Sequence, residues 1–194
     1  DGDLDTWLLA NGNSFDVSVS GPKSRVLQLQ GPKSFQIMHD ATKGALTQNF
    51  RYFHSGFFNV DGQQVYVSRT GWTGALGYEI YTLGEQTDCP RLWKHLMRKG
   101  EPFGMVFSSM QAMNIRRIEA GILDSGSDFD NSMTPFEAGL EKFVVFNKKC
   151  FIGHDALRIA TPGTRLFGLR CCDAIPHGSD MIVCDSTSVG KVTT

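Results

Sequence analysis

Apolar residues alternate with polar ones along several short segments of the chain, which is the pattern of half-buried β-strands. Glycine and proline punctuate these segments, and an Asp-Gly pair typical of a hairpin turn separates two of them at 61–62. The alternation predicts strands at 14–20, 25–30, 52–60, 64–69, 76–83, 143–146 and 165–171, with a further strand in the C-terminal tail.

Other segments carry apolar residues at helical spacing. Leu92, His95 and Leu96 share one face of a predicted helix at 89–98, and a second helix is predicted at 108–120. Shorter helices are expected to end near residue 10, to begin after Gly31-Pro32 and to span 153–160. The mixture predicts an α+β fold of antiparallel sheets with packed helices, and a Thr-Pro-Gly-Thr linker at 161–164 predicts a domain boundary.

Composition excludes several classes of function. The 194 residues carry 19 basic and 20 acidic side chains, and no basic stretch is interleaved with aromatic residues, so we expect no nucleic-acid partner. The Arg116-Arg117 and Lys148-Lys149 pairs are interpreted as solvated helix faces. No apolar run approaches the roughly 20 residues of a membrane helix. Five cysteines without a Cys-x-x-Cys pair favour a reducing, cytoplasm-like compartment and no metal site.

The segment Ser-Arg-Thr-Gly-Trp-Thr-Gly-Ala-Leu-Gly-Tyr-Glu-Ile-Tyr at 68–81 places three glycines, a tryptophan and a glutamate between two predicted strands. Glycine permits a close approach between the backbone and a ligand, or a turn with positive φ. A phosphate site is disfavoured, since it needs a helix after the loop and a strand follows here. Two interpretations remain, which are an ordinary hairpin loop and a ligand site of another kind.

Glu79 is the carboxylate of this segment. Strand periodicity places Glu79 and Tyr81 on the face opposite Tyr78. A carboxylate can accept two parallel N–H bonds from a planar heterocycle such as a pterin, and Trp72 could supply a stacking face. Alternatively, Glu79 is a cross-strand partner of Arg69.

A second polar cluster lies in the predicted loop at 121–136. Asp128, Asp130 and Asn131 could surround a cationic group, or they could cap turns, as Asp and Asn commonly do. Their spacing does not match the oxygen ligands of an EF-hand, and the five histidines show neither ligand nor catalytic spacing. We therefore predict no metal site.

Six motifs occur in an order that resembles the T-protein family of the glycine cleavage system. They are Leu-Gln-Gly-Pro-Lys-Ser at 29–34, Ser-Arg-Thr-Gly-Trp-Thr-Gly at 68–74, Gly-Tyr-Glu-Ile at 77–80, Arg-Ile-Glu-Ala-Gly at 117–121, Thr-Pro-Phe-Glu-Ala-Gly-Leu at 134–140 and Phe-Ile-Gly-His-Asp-Ala-Leu at 151–157. Each motif is weak by itself, and the specificity lies in the ordered set.

This resemblance implies a three-domain arrangement around tetrahydrofolate, with the folate-binding region at 1–160 and the start of a C-terminal β-barrel domain at 161–194. It implies transfer of a one-carbon unit to a folate nitrogen, and a carrier protein bearing lipoyl-lysine if the donor is an aminomethyl group. By this resemblance, Glu79 would occupy the position of the glutamate that binds the pterin. The residues that we expect at the cofactor are Glu79, Trp72, Arg69 and Tyr81, and those at the one-carbon donor are Asp128, Asp130 and Asn131.

Two departures from the family pattern keep other activities open. Met113 stands where the T-protein has an arginine, and Asp128-Phe129-Asp130-Asn131 is similar to the dimethylsulfoniopropionate demethylase branch. The loss of a positive charge would suit a cationic methyl donor, so a folate-dependent S- or O-demethylase is an alternative. A non-catalytic folate-binding accessory protein is another. The family's catalytic aspartate would lie upstream of Asp1, so we expect the chain to be a fragment that is inactive alone.

Overall fold

A computed structural model describes residues 3–194 of the chain. They divide into two compact units, of which one is Asp5–Ile122 and the other is Leu123–Thr194 together with Asp3 and Leu4. Antiparallel strands combined with helices confirm the predicted α+β class. The predicted domain boundary between residues 160 and 161 falls inside the second unit and stays a prediction.

The unit Asp5–Ile122 is built on a four-stranded antiparallel sheet with strand order β1-β4-β3-β2. The order shows that the first strand pairs with the last, across a long stretch of chain. The elements in chain order are α1 (Leu4–Asn11), β1 (Val26–Gln30), α2 (Ser34–Ala41), β2 (Ser55–Val60), β3 (Gln63–Ser68), β4 (Gly77–Tyr81), α3 (Cys89–Gly100) and α4 (Met110–Glu119).

One face of this sheet forms the core together with α2 and α3. Alternate strand residues point to this face because side chains alternate along a strand. Burial of each large apolar side chain stabilises the fold by about 1.5–3 kcal/mol. The core includes Leu29, Ile37, Met38, Val65, Val67, Tyr78, Ile80, Leu92 and Leu96.

The β2–β3 hairpin is fastened to α3. Asp61 and Gly62 both have positive φ, 53° and 80°, as the predicted tight turn requires. The Asp61 carboxylate accepts a hydrogen bond from Arg91 Nε at 2.8 Å, and His95 Nδ1 lies 3.4 Å from it. Arg91 holds the pKa of Asp61 below its usual value, while burial lowers the pKa of His95. Asp88 caps α3 by accepting from the backbone N–H of Arg91 at 3.0 Å.

The second unit contains α5 (His154–Ile159) and a two-stranded antiparallel sheet of β5 (Met181–Cys184) and β6 (Thr187–Lys191). Glu137 links two parts of this unit. Its carboxylate accepts from the backbone N–H of Thr134 at 2.8 Å and of Gly163 at 3.1 Å. These bonds lower the pKa of Glu137 to about 2, with Thr134 the larger cause.

Three predicted strands do not form. Residues 14–20 and 165–171 form no strand, and Phe15, Phe167 and Leu169 are exposed. The predicted strand at 143–146 instead begins in a short 3₁₀ turn, Glu141–Phe143. Alternation identifies a possible apolar face, but a strand also needs a ladder of hydrogen bonds to a neighbouring strand. The Leu166 N–H donates to the Glu137 carbonyl at 2.8 Å, yet no strand forms at 165–171. Within residues 3–194, none of the helices has the length and apolar character needed to cross a membrane.

Candidate functional site

Glu79 lies in the middle of the four-stranded sheet, on the face opposite the core. Its register partners are Gln28 on β1 and Ser68 on β3. The next row along the strands pairs Tyr81 with Val26 on β1 and with Tyr66 on β3. Tyr78 is 1% exposed on the other face, so the predicted sidedness of β4 is confirmed.

Neighbouring hydroxyl groups orient the Glu79 carboxylate. Oε2 accepts hydrogen bonds from the hydroxyl of Thr70 and from that of Tyr81, the latter at 3.1 Å. Oε1 has a longer contact, 3.4 Å from Gln28 Nε2. Because a carboxylate oxygen accepts about two hydrogen bonds, Oε1 retains capacity for a further donor.

The alternative in which Glu79 pairs with Arg69 is wrong. The cross-strand partner of Glu79 is Ser68, and Arg69 Nη1 donates to the backbone carbonyl of Phe50 at 2.8 Å. Burial, and after it the Glu79 carboxylate, raise the pKa of Tyr81. Tyr81 is therefore a protonated donor to Glu79 at neutral pH.

Trp72 lies against a buried arginine of α4. The Arg117 guanidinium carbon is 5.4 Å from the centroid of the Trp72 ring, a cation–π distance. Arg117 is 1% exposed, and its Nε donates to Asn114 Oδ1 at 2.6 Å. One face of the indole therefore has a cationic neighbour within the protein.

The interpretation of Arg116-Arg117 as a solvated pair is wrong for one of the two. Arg116 is exposed and pairs with Glu119 at 2.8 Å, whereas Arg117 is the buried residue of α4. Sequence reasoning missed Arg117 as a candidate site residue. Helical spacing could have indicated its burial. Arg117 follows Asn114 by three residues and Met113 by four, so it shares a helix face with these two half-buried residues.

The three residues predicted at the one-carbon donor, in the loop at 121–136, occupy different environments. Asp128 is 4% exposed and accepts from the backbone N–H of Asp124 at 2.9 Å and from the Thr193 hydroxyl at 3.0 Å. Asp130 is exposed and accepts from the side chain and backbone of Ser132, which lowers its pKa. Asn131 is also exposed. Turn hydrogen bonds and the contact from Thr193 thus organise this loop, and its role at a substrate stays a prediction.

Two cavities lie away from Glu79. One of about 440 Å³ is lined by Val26, Cys89 and Trp93, among others, and one of about 360 Å³ by Cys150 and His154, among others. Glu79 lines neither of these cavities and is half-buried on its face of the sheet. Residues 3–194 contain no group of three or more His, Cys, Asp or Glu side chains that could hold a metal ion. All five cysteines are free.

Comparisons with known proteins agree on one family. Residues 3–148 match the family model described as the GCVT N-terminal domain. An aminomethyltransferase of Caldanaerobacter subterraneus subsp. tengcongensis is 32% identical over 97% of this chain and 51% of its own length. An aminomethyltransferase of Lysinibacillus sphaericus is 31% identical over 97% of this chain and 52% of its own length.

A solved structure has a similar fold. The glycine cleavage system aminomethyltransferase T from Bartonella henselae superimposes with a TM-score of 0.74 at 23% identity, covering 98% of this chain and 52% of that one. The chain thus spans about half the length of the curated relatives it matches.

Proposed function

The chain belongs to the family of the GCVT N-terminal domain, and from this membership we propose that it takes part in a tetrahydrofolate-dependent one-carbon transfer. The proposed reaction moves an aminomethyl-derived unit onto tetrahydrofolate, in keeping with relatives named aminomethyltransferase.

The observation that carries the cofactor proposal is the half-satisfied carboxylate of Glu79. Two hydroxyls fix Oε2, whereas within residues 3–194 the one donor to Oε1 is Gln28 Nε2, at 3.4 Å. The amino-pyrimidine ring of a reduced folate presents an amino group and a neighbouring ring N–H on one edge. Oε1 would accept one of these donors, and the other would replace the Tyr81 hydroxyl at Oε2.

The other predicted contacts follow from their places on this unit. Tyr81 lies one row from Glu79 on the same face. Arg69 comes one residue before Thr70 in the chain and Trp72 two residues after it, and the Thr70 hydroxyl binds Glu79. We assign these side chains to orienting the folate. Positioning of the two reactants and electrostatic stabilisation would then supply most of the catalysis.

The one-carbon donor and the partner protein are proposed by chemical class. Asp128, Asp130 and Asn131 are assigned to a small-molecule one-carbon donor, and the exposed carboxylate of Asp130 suits a cationic group. A lipoyl-bearing carrier protein is the partner for aminomethyl transfer. Five free thiols support a reducing location, the cytoplasm or a mitochondrial matrix.

Titration with tetrahydrofolate tests the site. Glu79→Gln keeps the shape of the side chain and removes its charge, so we expect roughly 10- to 150-fold weaker binding by calorimetry. Glu85→Gln is the control, because Glu85 is an exposed carboxylate in a short 3₁₀ turn of the same unit. Equal affinities of the wild-type chain and Glu79→Gln would contradict the proposed site.

Methyl transfer is the second candidate, and Met113 is the observation that favours it. This half-buried residue of α4 stands where the T-protein pattern has an arginine, so the face shared with Arg117 carries one positive charge fewer. A cationic methyl donor would meet less repulsion there. Product analysis of a longer, active protein that contains this chain separates the candidates, since a demethylase yields methyl-tetrahydrofolate and an aminomethyltransferase yields methylene-tetrahydrofolate.

A further inference from the structure

We propose that Gln30 is a positioning residue of this site, because its amide sets the conformation of the glycine-rich loop at residues 70–76. Through that loop it places Trp72 against Arg117 and Thr70 against Glu79. The link to the ligand rests on the proposed function. The effect on the loop can be measured without any ligand.

The strongest evidence is steric. Gln30 is the last residue of β1, and its register partner is Gly77, the first residue of β4. A Cβ atom built on Gly77 would overlap the Gln30 amide, and a Cβ atom built on Gly71 would overlap the same amide. The Gln30 side chain therefore fills the space that side chains at both ends of the loop would need.

Hydrogen bonding connects Gln30 to the middle of the loop. Thr73 is 8% exposed, and its hydroxyl donates to Gln30 Oε1 at 3.0 Å. Gln30 Nε2 is buried and has no hydrogen-bond partner among the residues that the structure describes. The amide is thus held by the shape of the loop and by the Thr73 bond. Replacement of Gln30 should therefore change the conformation of the loop, and a change in the loop should displace the Gln30 amide.

The two ends of the loop are fixed by separate contacts. The Leu76 carbonyl accepts from the backbone N–H of Gly31 at 2.7 Å and from the Ser34 hydroxyl at 3.1 Å. Before the loop, the Arg69 N–H donates to the His54 carbonyl at 2.8 Å. Thr73 and its Gln30 bond lie between these anchors and next to Trp72, so Gln30 acts on the part of the loop that carries the indole.

A chain with Trp72 as its single tryptophan gives the readout. Trp7 and Trp93 are 49% and 39% exposed, so Trp7→Phe and Trp93→Phe should leave the core intact. In this background we expect Gln30→Ala to shift the Trp72 emission to longer wavelength and to increase quenching by acrylamide. We expect tetrahydrofolate to bind roughly 3- to 10-fold more weakly, as for loss of an ordinary hydrogen bond.

Three further variants sharpen the test. Gln30→Met keeps the side-chain volume without the hydrogen bond, so its effects should be smaller than those of Gln30→Ala. Gln64→Ala, an exposed glutamine on β3 of the same sheet, should change neither the emission nor the affinity. Within the single-tryptophan chain, Gly77→Ala should disturb Trp72 when Gln30 is present and much less in combination with Gln30→Ala, where the overlapping amide is gone.

Each outcome decides the proposal. An unchanged Trp72 emission in both Gln30 variants overturns it, and so does loss of the fold in both, since that would show a general structural role. A changed emission with unchanged tetrahydrofolate affinity overturns the role in binding, provided that Glu79→Gln weakens binding in the same assay. If Glu79→Gln has no effect, the proposed function fails instead, and the Trp72 emission alone decides the role of Gln30 in the loop.

Discussion

Arg116 and Arg117 are adjacent and chemically identical, yet the structure predicts opposite costs for their replacement. Arg117 is 1% exposed, donates to Asn114 at 2.6 Å and lies over the Trp72 ring. The side chain of Arg116 is 60% exposed and contacts Glu119. Methionine is the informative substitution at both positions, because it keeps a long apolar stem and removes the guanidinium.

The cost at Arg117 follows from the contacts that are lost. A hydrogen bond of a charged donor is worth about 1.5–3 kcal/mol, and a partly desolvated cation–π contact about 0.5–2 kcal/mol. Relief of the burial of a charge offsets part of this sum, so we expect Arg117→Met to lower the free energy of unfolding by about 2–4 kcal/mol. An exposed ion pair is worth about 0–1 kcal/mol, which sets the expectation for Arg116→Met.

Urea unfolding followed by tryptophan fluorescence measures this difference. Trp7, Trp72 and Trp93 all belong to the unit Asp5–Ile122, so the signal reports the unit that contains both arginines. Losses for the two variants that agree within about 0.5 kcal/mol would refute the assigned role of burial, since the expected difference is about 1–4 kcal/mol.

Two further predictions concern local hydrogen bonds. Asp88→Ala removes the cap bond to the Arg91 N–H and should lower the free energy of unfolding in urea by about 1 kcal/mol. Asp88→Asn keeps an acceptor, so its loss should be much smaller. Equal losses for the two variants would argue against the cap. The pKa of Glu137 is lowered from 4.5 to about 2, so its contribution is complete above pH 4.5 and disappears as the pH falls to about 2. Amide hydrogen exchange at Thr134 and Gly163 should therefore be faster in Glu137→Gln than in wild type at pH 6. Near pH 2 the two rates should be nearly equal. A ratio of variant to wild-type exchange rates that stays constant over this range would contradict the assignment.

The candidate site was partly predictable from sequence. The position of Glu79 on the face opposite Tyr78 followed from strand alternation, because side chains on a strand alternate with a fixed period. Its partners did not follow. Thr70 and Tyr81, rather than Arg69, hold the carboxylate because the loop returns Thr70 to the sheet, and no local pattern encodes that return.

Some of the remaining features of the fold follow from the local sequence pattern, and others follow only from the tertiary structure. Sequence alone determined the α+β class, the hairpin at Asp61-Gly62 and α3, because turn residues and periodicity act over a few neighbouring positions. Only the tertiary structure decided that β1 pairs with β4, that residues 165–171 form no strand and that Arg117 is buried while Arg116 is not. Each of these outcomes depends on which distant segment lies beside the residue. Strand pairing, burial and neutralisation of a charge all require a neighbour, and the local sequence does not specify that neighbour.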